Sequence, residues 1–336
     1  MTKEEQVIHY IEEYIQTHKL KTGDKIPSEY ELAKRCGVNK TTANKAVAHF
    51  VQRGIIERRG GAAGSVIAVL PSLCKGTLAV QTPLIAGLTY GARIVRGIQA
   101  AAIENGYALQ YYEAGKKQEL QLEMIRFSGV KGLLSHCSKP VSENYPLPTV
   151  YLRTCPPDFL CNFIYTDIYS GARDLTRLVY QRGHHFPVLI VHEKDHPFVN
   201  GVRDELKEHG ISLMDHQIFA IGSTLKFNPL LVYREINEYC PHHTVIMCGS
   251  DNIAMRLLLY FEEQRISVPE DVSITGFGFM EEYQRLRPIT SMNQFPEDFG
   301  YFACKGLIEL IEGRRNHIET AIKPKLVKGD TLAVLC

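Results

Sequence analysis

PSEYELAKRCGVNKTTANKAVAHFVQRGIIERRGGAAGSVIAV, residues 27–69, reads as two short helices joined by a tight turn and followed by a basic hairpin. Ser28 and Glu31 have the S-x-x-E spacing of a capping box, in which each side chain satisfies a free amide at a helix start. Gly37, followed by Val38, supplies the positive φ that a sharp turn between helices needs. Asn39 reads as the N-cap of the next helix and Gly54 as the residue just past its end. Between them Ala43, Ala46, Val47 and Phe50 recur at three- and four-residue spacing and mark one buried face. The opposite face offers Lys40, Thr41, Asn44 and Lys45, a pattern suited to reading a groove.

Charge points the same way. From Lys34 to Arg59 there are seven basic residues (Lys34, Arg35, Lys40, Lys45, Arg53, Arg58, Arg59) against one acid, Glu57. That local +6 sits in a chain whose net charge is +1, so the remaining residues carry −5. Concentrated positive charge on one short element of a near-neutral chain is suited to a polyanion. The competing reading is a solvated helix with an exposed basic face.

On these residues the N-terminal segment 1–69 resembles the winged helix-turn-helix of the GntR family of bacterial transcription regulators. The resemblance rests on Gly23-Asp24-Lys25-Ile26-Pro27-Ser28-Glu29, Glu31-Leu32-Ala33, Gly37-Val38, Thr41-Thr42, Ala46, Gly54-Ile55-Ile56 and a glycine-rich wing ending at Gly64. It implies that DNA is read by the start of the third helix and by the wing tip, at Lys40, Thr41, Thr42, Asn44, Gly60 and Gly61, with Ser28 counted among them. Tyr30 and Asn44 stand where many relatives have arginine, which implies a different operator sequence. By residue type, Thr41 and Thr42 bond phosphates or base edges, and Asn44 pairs with adenine in the major groove. Lys40 and Lys45 hold phosphates and make affinity salt-dependent, while Arg58 and Arg59 flank the wing turn. Val7, Ile8, Ile11, Tyr14 and Ile15 share one face of a first helix that completes the small core.

The 336 residues exceed one such domain and predict two or more. Hydrophobic periodicity stops over residues 70–76, within which PSLCKG reads as a linker. Beyond it, over 77–336, apolar runs (Thr77–Val80, Ala108–Tyr112, Gly132–Leu134, Val188–Val191, Val245–Cys248, Val272–Thr275) alternate with helical patterns (Ile94–Glu104, Ala172–Gln181, Val199–His209, Ile253–Gln264). Such alternation predicts α/β lobes with doubly wound parallel sheets and a cleft between them.

Residues 96–101 and 105–107, then Thr166-Asp167, Gly171, 182–184, Ser250-Asp251, 268–277, Thr290 and Gln294 occur in the order of a LacI-type ligand-binding body, which is similar to periplasmic binding proteins. A GntR-type head on such a body is the arrangement of arabinose-type repressors. The resemblance implies a homodimer on double-stranded operator DNA, controlled by a small-molecule effector of sugar-like kind. Two recognition helices then reach half-sites about one DNA turn apart. The sequence departs from that family's sugar contacts: Phe198 replaces an arginine, Ser250 an asparagine and Gly278 an aspartate.

Expected around the cleft are Tyr90, which ends the first strand-to-helix loop, and Arg153, a source of positive charge. Tyr165, Asp167, Phe198, Asp251, Phe277 and Gln294 stand at the ends of predicted strands, where ligands bind in open α/β sheets. Each has a competing structural reading: Asp251 as a helix N-cap, Phe198 and Phe277 as lobe packing, Arg153 as the partner of a surface carboxylate.

Nine cysteines (36, 74, 137, 155, 161, 240, 248, 304, 336) make no C-x-x-C pair, which fits reduced thiols in the cytoplasm, with 137, 155, 161 and 248 as small core residues. His184-His185 and His242-His243 lack the spacing that puts two metal ligands on one helix face, so neither metal nor cofactor is expected. No nucleophile elbow, Walker loop or dinucleotide fingerprint stands out, and no apolar run reaches the ~18 residues that span a bilayer. An effector-responsive regulator is therefore the expected function, the alternative being a carbohydrate-binding receptor without a regulatory role.

Overall fold

A computed structural model describes residues 2–60, 64–68, 75–82, 90–114, 118–136, 145–154, 156–157 and 160–335. Residues 70–74 of the expected linker, Gly61 at the wing tip, and Cys74, Cys137, Cys155 and Cys336 lie outside them. The chain divides into two compact units, Met1–Gly76 with Asn105–Ala108, and Thr77–Glu104 with Leu109–Cys336.

In the first unit α1 (Lys3–Thr17), α2 (Glu29–Cys36) and α3 (Lys40–Gln52) precede a two-stranded ribbon of β1 (Ile56–Arg59) and β2 (Gly64–Ile67). The ribbon is antiparallel, with Arg59 opposite Gly64. The capping box forms: Ser28 Oγ accepts from the Glu31 amide, and Glu31 Oε2 accepts from the Ser28 amide at 2.8 Å. Gly37 ends α2 at φ 63, and Asn39 caps α3 through the Thr42 amide at 2.7 Å. Val7 and Ile11 of α1 pack with Leu32, Ala43, Ala46, Val47, Phe50, Ile56 and Ile67 into one small core.

The second unit holds two larger sheets and a two-stranded one. The first follows the order β13 (Glu319–Ile322), β7 (Asn162–Thr166), β6 (Thr149–Arg153), β5 (Gly132–Ser135), β3 (Gly76–Thr82), β4 (Tyr107–Glu113), and is parallel from β13 to β3. Helices α4 (Tyr90–Asn105), α5 (Gln118–Phe127) and α11 (Pro296–Ile311) belong to this lobe. The second sheet, β11 (Ser273–Thr275), β10 (Val245–Cys248), β8 (Pro187–Val191), β9 (Ile218–Ala220), is parallel throughout. It carries α6 (Ile168–Gln181), α7 (Pro197–Glu208), α8 (Pro229–Tyr239), α9 (Asp251–Gln264) and α10 (Glu281–Leu286). Strands β5, β8 and β10 are buried along their whole length, because helices cover parallel sheets on both faces and leave no solvent side for alternation.

The chain crosses between lobes after β7, after β12 (Ser291–Asn293) and after β13, and β12 pairs antiparallel with β14 (Lys325–Val327) at this crossing. Inside the first lobe α4 meets α11 at two glycines. A Cβ on Gly97 would sit 1.9 Å from the Glu297 carbonyl oxygen, and one on Gly300 would sit 2.0 Å from that of Ile94. Only hydrogen side chains permit so close a helix crossing.

Candidate functional site

On the first unit, Lys40, Thr41, Asn44 and Lys45 are exposed along α3 while Ala43, Ala46, Val47 and Phe50 are buried on its other side. Several expected DNA contacts have local partners. Ser28 Oγ is held within the capping box, and Thr42 donates its hydroxyl to Asn39 Oδ1 at 2.9 Å. Arg58 turns back from the ribbon: its Nη2 donates to the Asn44 carbonyl oxygen (3.2 Å) and Oδ1 (3.3 Å) and stands 3.7 Å from Glu29. That contact occupies the Asn44 side-chain oxygen, sets the amide orientation, and ties α3 to the ribbon and to α2. Arg59 pairs with Glu57 on its own strand at 3.1 Å. Gly60 has open space around its Cα, so backbone can approach another surface there.

In the second unit, the carboxyl ends of the first-lobe strands bring several expected residues together. Arg153 ends β6 directly opposite Tyr165 of β7. Tyr90, at the start of α4, reaches the Thr166 hydroxyl at 3.4 Å, and burial pushes its own hydroxyl up to about 12. Asp167 caps α6 by accepting from the Ser170 amide at 3.0 Å. His136 follows β5, and burial, with the charge of Arg153 adding to it, holds its pKa below the ordinary value.

On the second lobe the structure corrects three expectations. Phe198 and Phe277 are buried at 0% and 2% exposure and meet edge-to-face with centroids 5.3 Å apart. They belong to the packing between α6, α7 and the sheet. Asp251 is neither an N-cap nor an open ligand group. Ser250 is the cap, and the Asp251 carboxylate, 1% exposed, accepts from the Ser291 hydroxyl (2.6 Å) and the Met280 amide (2.8 Å). Burial pushes its pKa up although those bonds oppose the rise. Its work is to fold the chain after β11. Gln294 is 8% exposed beside Gly278.

One residue the sequence reading passed over joins the lobes. Arg93 on α4, 6% exposed, donates from Nε to Glu297 Oε1 at 2.7 Å and from Nη1 to the Phe279 carbonyl oxygen at 2.8 Å. Arg96 also reaches Glu297, at 3.1 Å. Burial pushes the Glu297 carboxyl up, but its bonds to Arg93 and the two positive charges outweigh that and hold it below the usual range. His192 and His196, after β8, were passed over too; His192 bonds the Thr224 hydroxyl at 2.7 Å, and His196 caps α7. Their position after a strand of the second lobe was the available signal. Among the described residues no group of three metal-ligating side chains occurs, and no helix is long and apolar enough to cross a membrane.

Comparison with known proteins completes the description. Residues 3–66 match the family of bacterial regulatory proteins named for gntR, and residues 176–332 match the periplasmic binding protein-like domain. The chain is 24% identical to the HTH-type transcriptional repressor PurR of Serratia proteamaculans, over 90% of this chain and 96% of that one. It is 23% identical to the arabinose metabolism transcriptional repressor of Geobacillus stearothermophilus, over 90% and 89%. In fold it is similar to a transcriptional regulator CelR–cellobiose complex, with a TM-score of 0.67, 19% identity, and coverage of 91% of this chain and all of that one. It is also similar to a LacI family regulator from Enterococcus faecium with bound ribose, with a TM-score of 0.66, 19% identity, and coverage of 77% and 100%.

Proposed function

We propose that this DNA-binding transcription regulator, which joins a gntR-family head to a periplasmic-binding-protein-like body, is a repressor that acts in the cytoplasm as a homodimer on a palindromic operator. The observation that carries this reading is the exposed row Lys40, Thr41, Asn44 and Lys45 on a capped helix whose opposite face is core. A helix so presented fits a major groove, with lysines on phosphates and the Asn44 amide nitrogen, its oxygen being held by Arg58, donating to a base edge. A receptor would have no use for that row.

The body supplies control. Tyr90, Arg153, Tyr165 and Asp167 line the carboxyl edge of the first sheet, and Gln294 stands beside the second. We assign this interlobe edge to a small-molecule effector of sugar or sugar-derivative kind. Two of the similar structures hold cellobiose and ribose. An effector moves such a switch only by its differential affinity for two arrangements of the lobes.

Selection of bound duplexes from random DNA with the purified full-length protein tests the first part. The expected product is an inverted repeat whose affinity falls steeply between about 50 and 200 mM salt. Recovery of no enriched sequence, or binding indifferent to salt, would overturn it.

A further inference from the structure

Among the described residues four that are not glycine have positive φ: Lys19, Arg265, Phe279 and Phe295. Lys19 and Arg265 follow the ends of α1 and α9, where left-handed backbone is common. The other two are phenylalanines that follow no helix, and a bulky residue is an outlier in that region. Phe279 has φ 53 and Phe295 φ 50. Strained backbone of this kind persists only where the surroundings over-determine it, and it clusters at ligand clamps.

The surroundings do over-determine both. The Phe279 amide donates to Ser291 Oγ at 3.4 Å, and the next amide is taken by Asp251 at 2.8 Å. Arg93 of the first lobe holds the Phe279 carbonyl oxygen. The Phe295 amide donates to Asn293 Oδ1 at 2.9 Å, and Gly278 bridges to Asn293, so the two strained segments run side by side. The arginine from the opposite lobe places them at the interlobe edge. Both phenylalanines are partly buried, whereas Phe198 and Phe277 are fully buried.

Two polar groups on this wall are engaged within the protein, with Gln294 standing beside Gly278. Ser250 caps α9, Asp251 is buried in its own bonds, and Gly278 has no side chain. A wall that engages its serine and its carboxylate internally and keeps two partly buried phenylalanines is poorly suited to a ring of hydroxyls and well suited to a π-face.

We propose that Phe279 and Phe295 form an aromatic clamp that makes the effector site selective for a ligand carrying an aromatic ring, such as an aryl derivative of a sugar. The proposal rests on the assignment of the effector to the interlobe edge. Because Arg93 fixes Phe279 from the other lobe, the clamp is complete only when the lobes are together.

The test uses the full-length protein and matched probes: glucose and ribose, phenyl β-glucoside and phenyl β-riboside, and benzoate. Melting temperature is read with each, since a ligand of the folded state alone must raise it. The chain has no tryptophan, so Phe279→Trp adds a single tryptophan at the clamp that can be excited apart from the tyrosines, with Phe186→Trp, on a residue 65% exposed, as control. The expected result is a shift with at least one aryl probe that exceeds its free-sugar or unloaded counterpart, with quenching at position 279 and not at 186. Phe279→Asn tolerates left-handed backbone and removes the ring, so it should leave the unliganded melting temperature in place and weaken aryl binding tenfold or more. Phe279→Tyr should restore it.

A shift with free sugars that Phe279→Asn leaves intact would overturn the clamp and retain the interlobe site. Silence from every probe would overturn both. A large loss of melting temperature in unliganded Phe279→Asn would make the ring a packing element and also overturn the clamp.

Discussion

Asp251 shows how far a side chain's role depends on what faces it. Alanine there would strand the Ser291 hydroxyl and the Met280 amide in a buried site, each orphan costing about 1–3 kcal/mol. Asparagine keeps one acceptor and should lose less, a difference that denaturant unfolding at neutral pH would measure. Because burial raises the folded pKa above the ordinary 3.8, the folded state holds its proton more tightly than the unfolded state. That contribution is full below pH 3.8 and is lost as pH rises through the folded value. Relative to Asp251→Asn, the native chain should therefore lose stability over that rise. Flat difference curves would contradict the assignment. On α3, Lys40→Ala with Asn44→Ala should abolish operator binding at about 0.15 M salt while the head stays folded by circular dichroism. Unchanged affinity would remove that face from the interface. The caps at Ser28 and Asn39 and the turn at Gly37 were legible because their partners lie within a few residues. Arg93 was not, since its partners lie 204 and 186 residues away. The strand-end rule marks Phe198, Asp251 and Phe277 but is blind to which way a side chain points.

At the scale of elements, β5, β8 and β10 were legible as unbroken apolar runs, and α4, α6, α7 and α9 as periodic ones. The three-residue strands β12 and β14 were not, because so short a pair at the crossing offers neither a period nor an unbroken buried run. Two helix pairings invite direct tests. Gly97→Ala forces a methyl into the Glu297 backbone, and overpacking of that sort costs about 1–3 kcal/mol or more. Gly60→Ala, in open space on the ribbon, serves as the control and should change unfolding little. The pair α6 and α7 encloses Glu205, 1% exposed, between Arg173 (2.9 Å) and Arg177 (2.8 Å). Removing a buried partner costs about 3–5 kcal/mol when both charges are sealed from water. Both arginines keep solvent access here, so Glu205→Ala should fall below that range. A midpoint in urea no different from the native one would show that the arginines re-solvate freely.

For the whole molecule, regulation requires that the lobes have two arrangements of comparable free energy. Three chain crossings connect the lobes, and Arg93 ties them through its bond from α4 to the Phe279 carbonyl oxygen. Its guanidinium is nearly out of water, so it cannot leave Glu297 and the Phe279 carbonyl without re-solvation or new partners. The arrangement that keeps these bonds is thereby favoured, and a ligand between the lobes acts on the same equilibrium. Arg93→Met keeps the stem and deletes the charge, so it should shift that equilibrium in the absence of effector. Couplings between sites of this kind run about 1–3 kcal/mol, or 5- to 150-fold in affinity. Operator affinity of Arg93→Met, measured by fluorescence anisotropy without ligand, should therefore differ from native several-fold, with a change in scattering radius of gyration alongside. A shift in radius with unchanged operator affinity would mean that lobe geometry is not communicated to the head. If neither quantity moves, Arg93 packs the lobes without setting their balance, and the switch must lie in the crossings themselves.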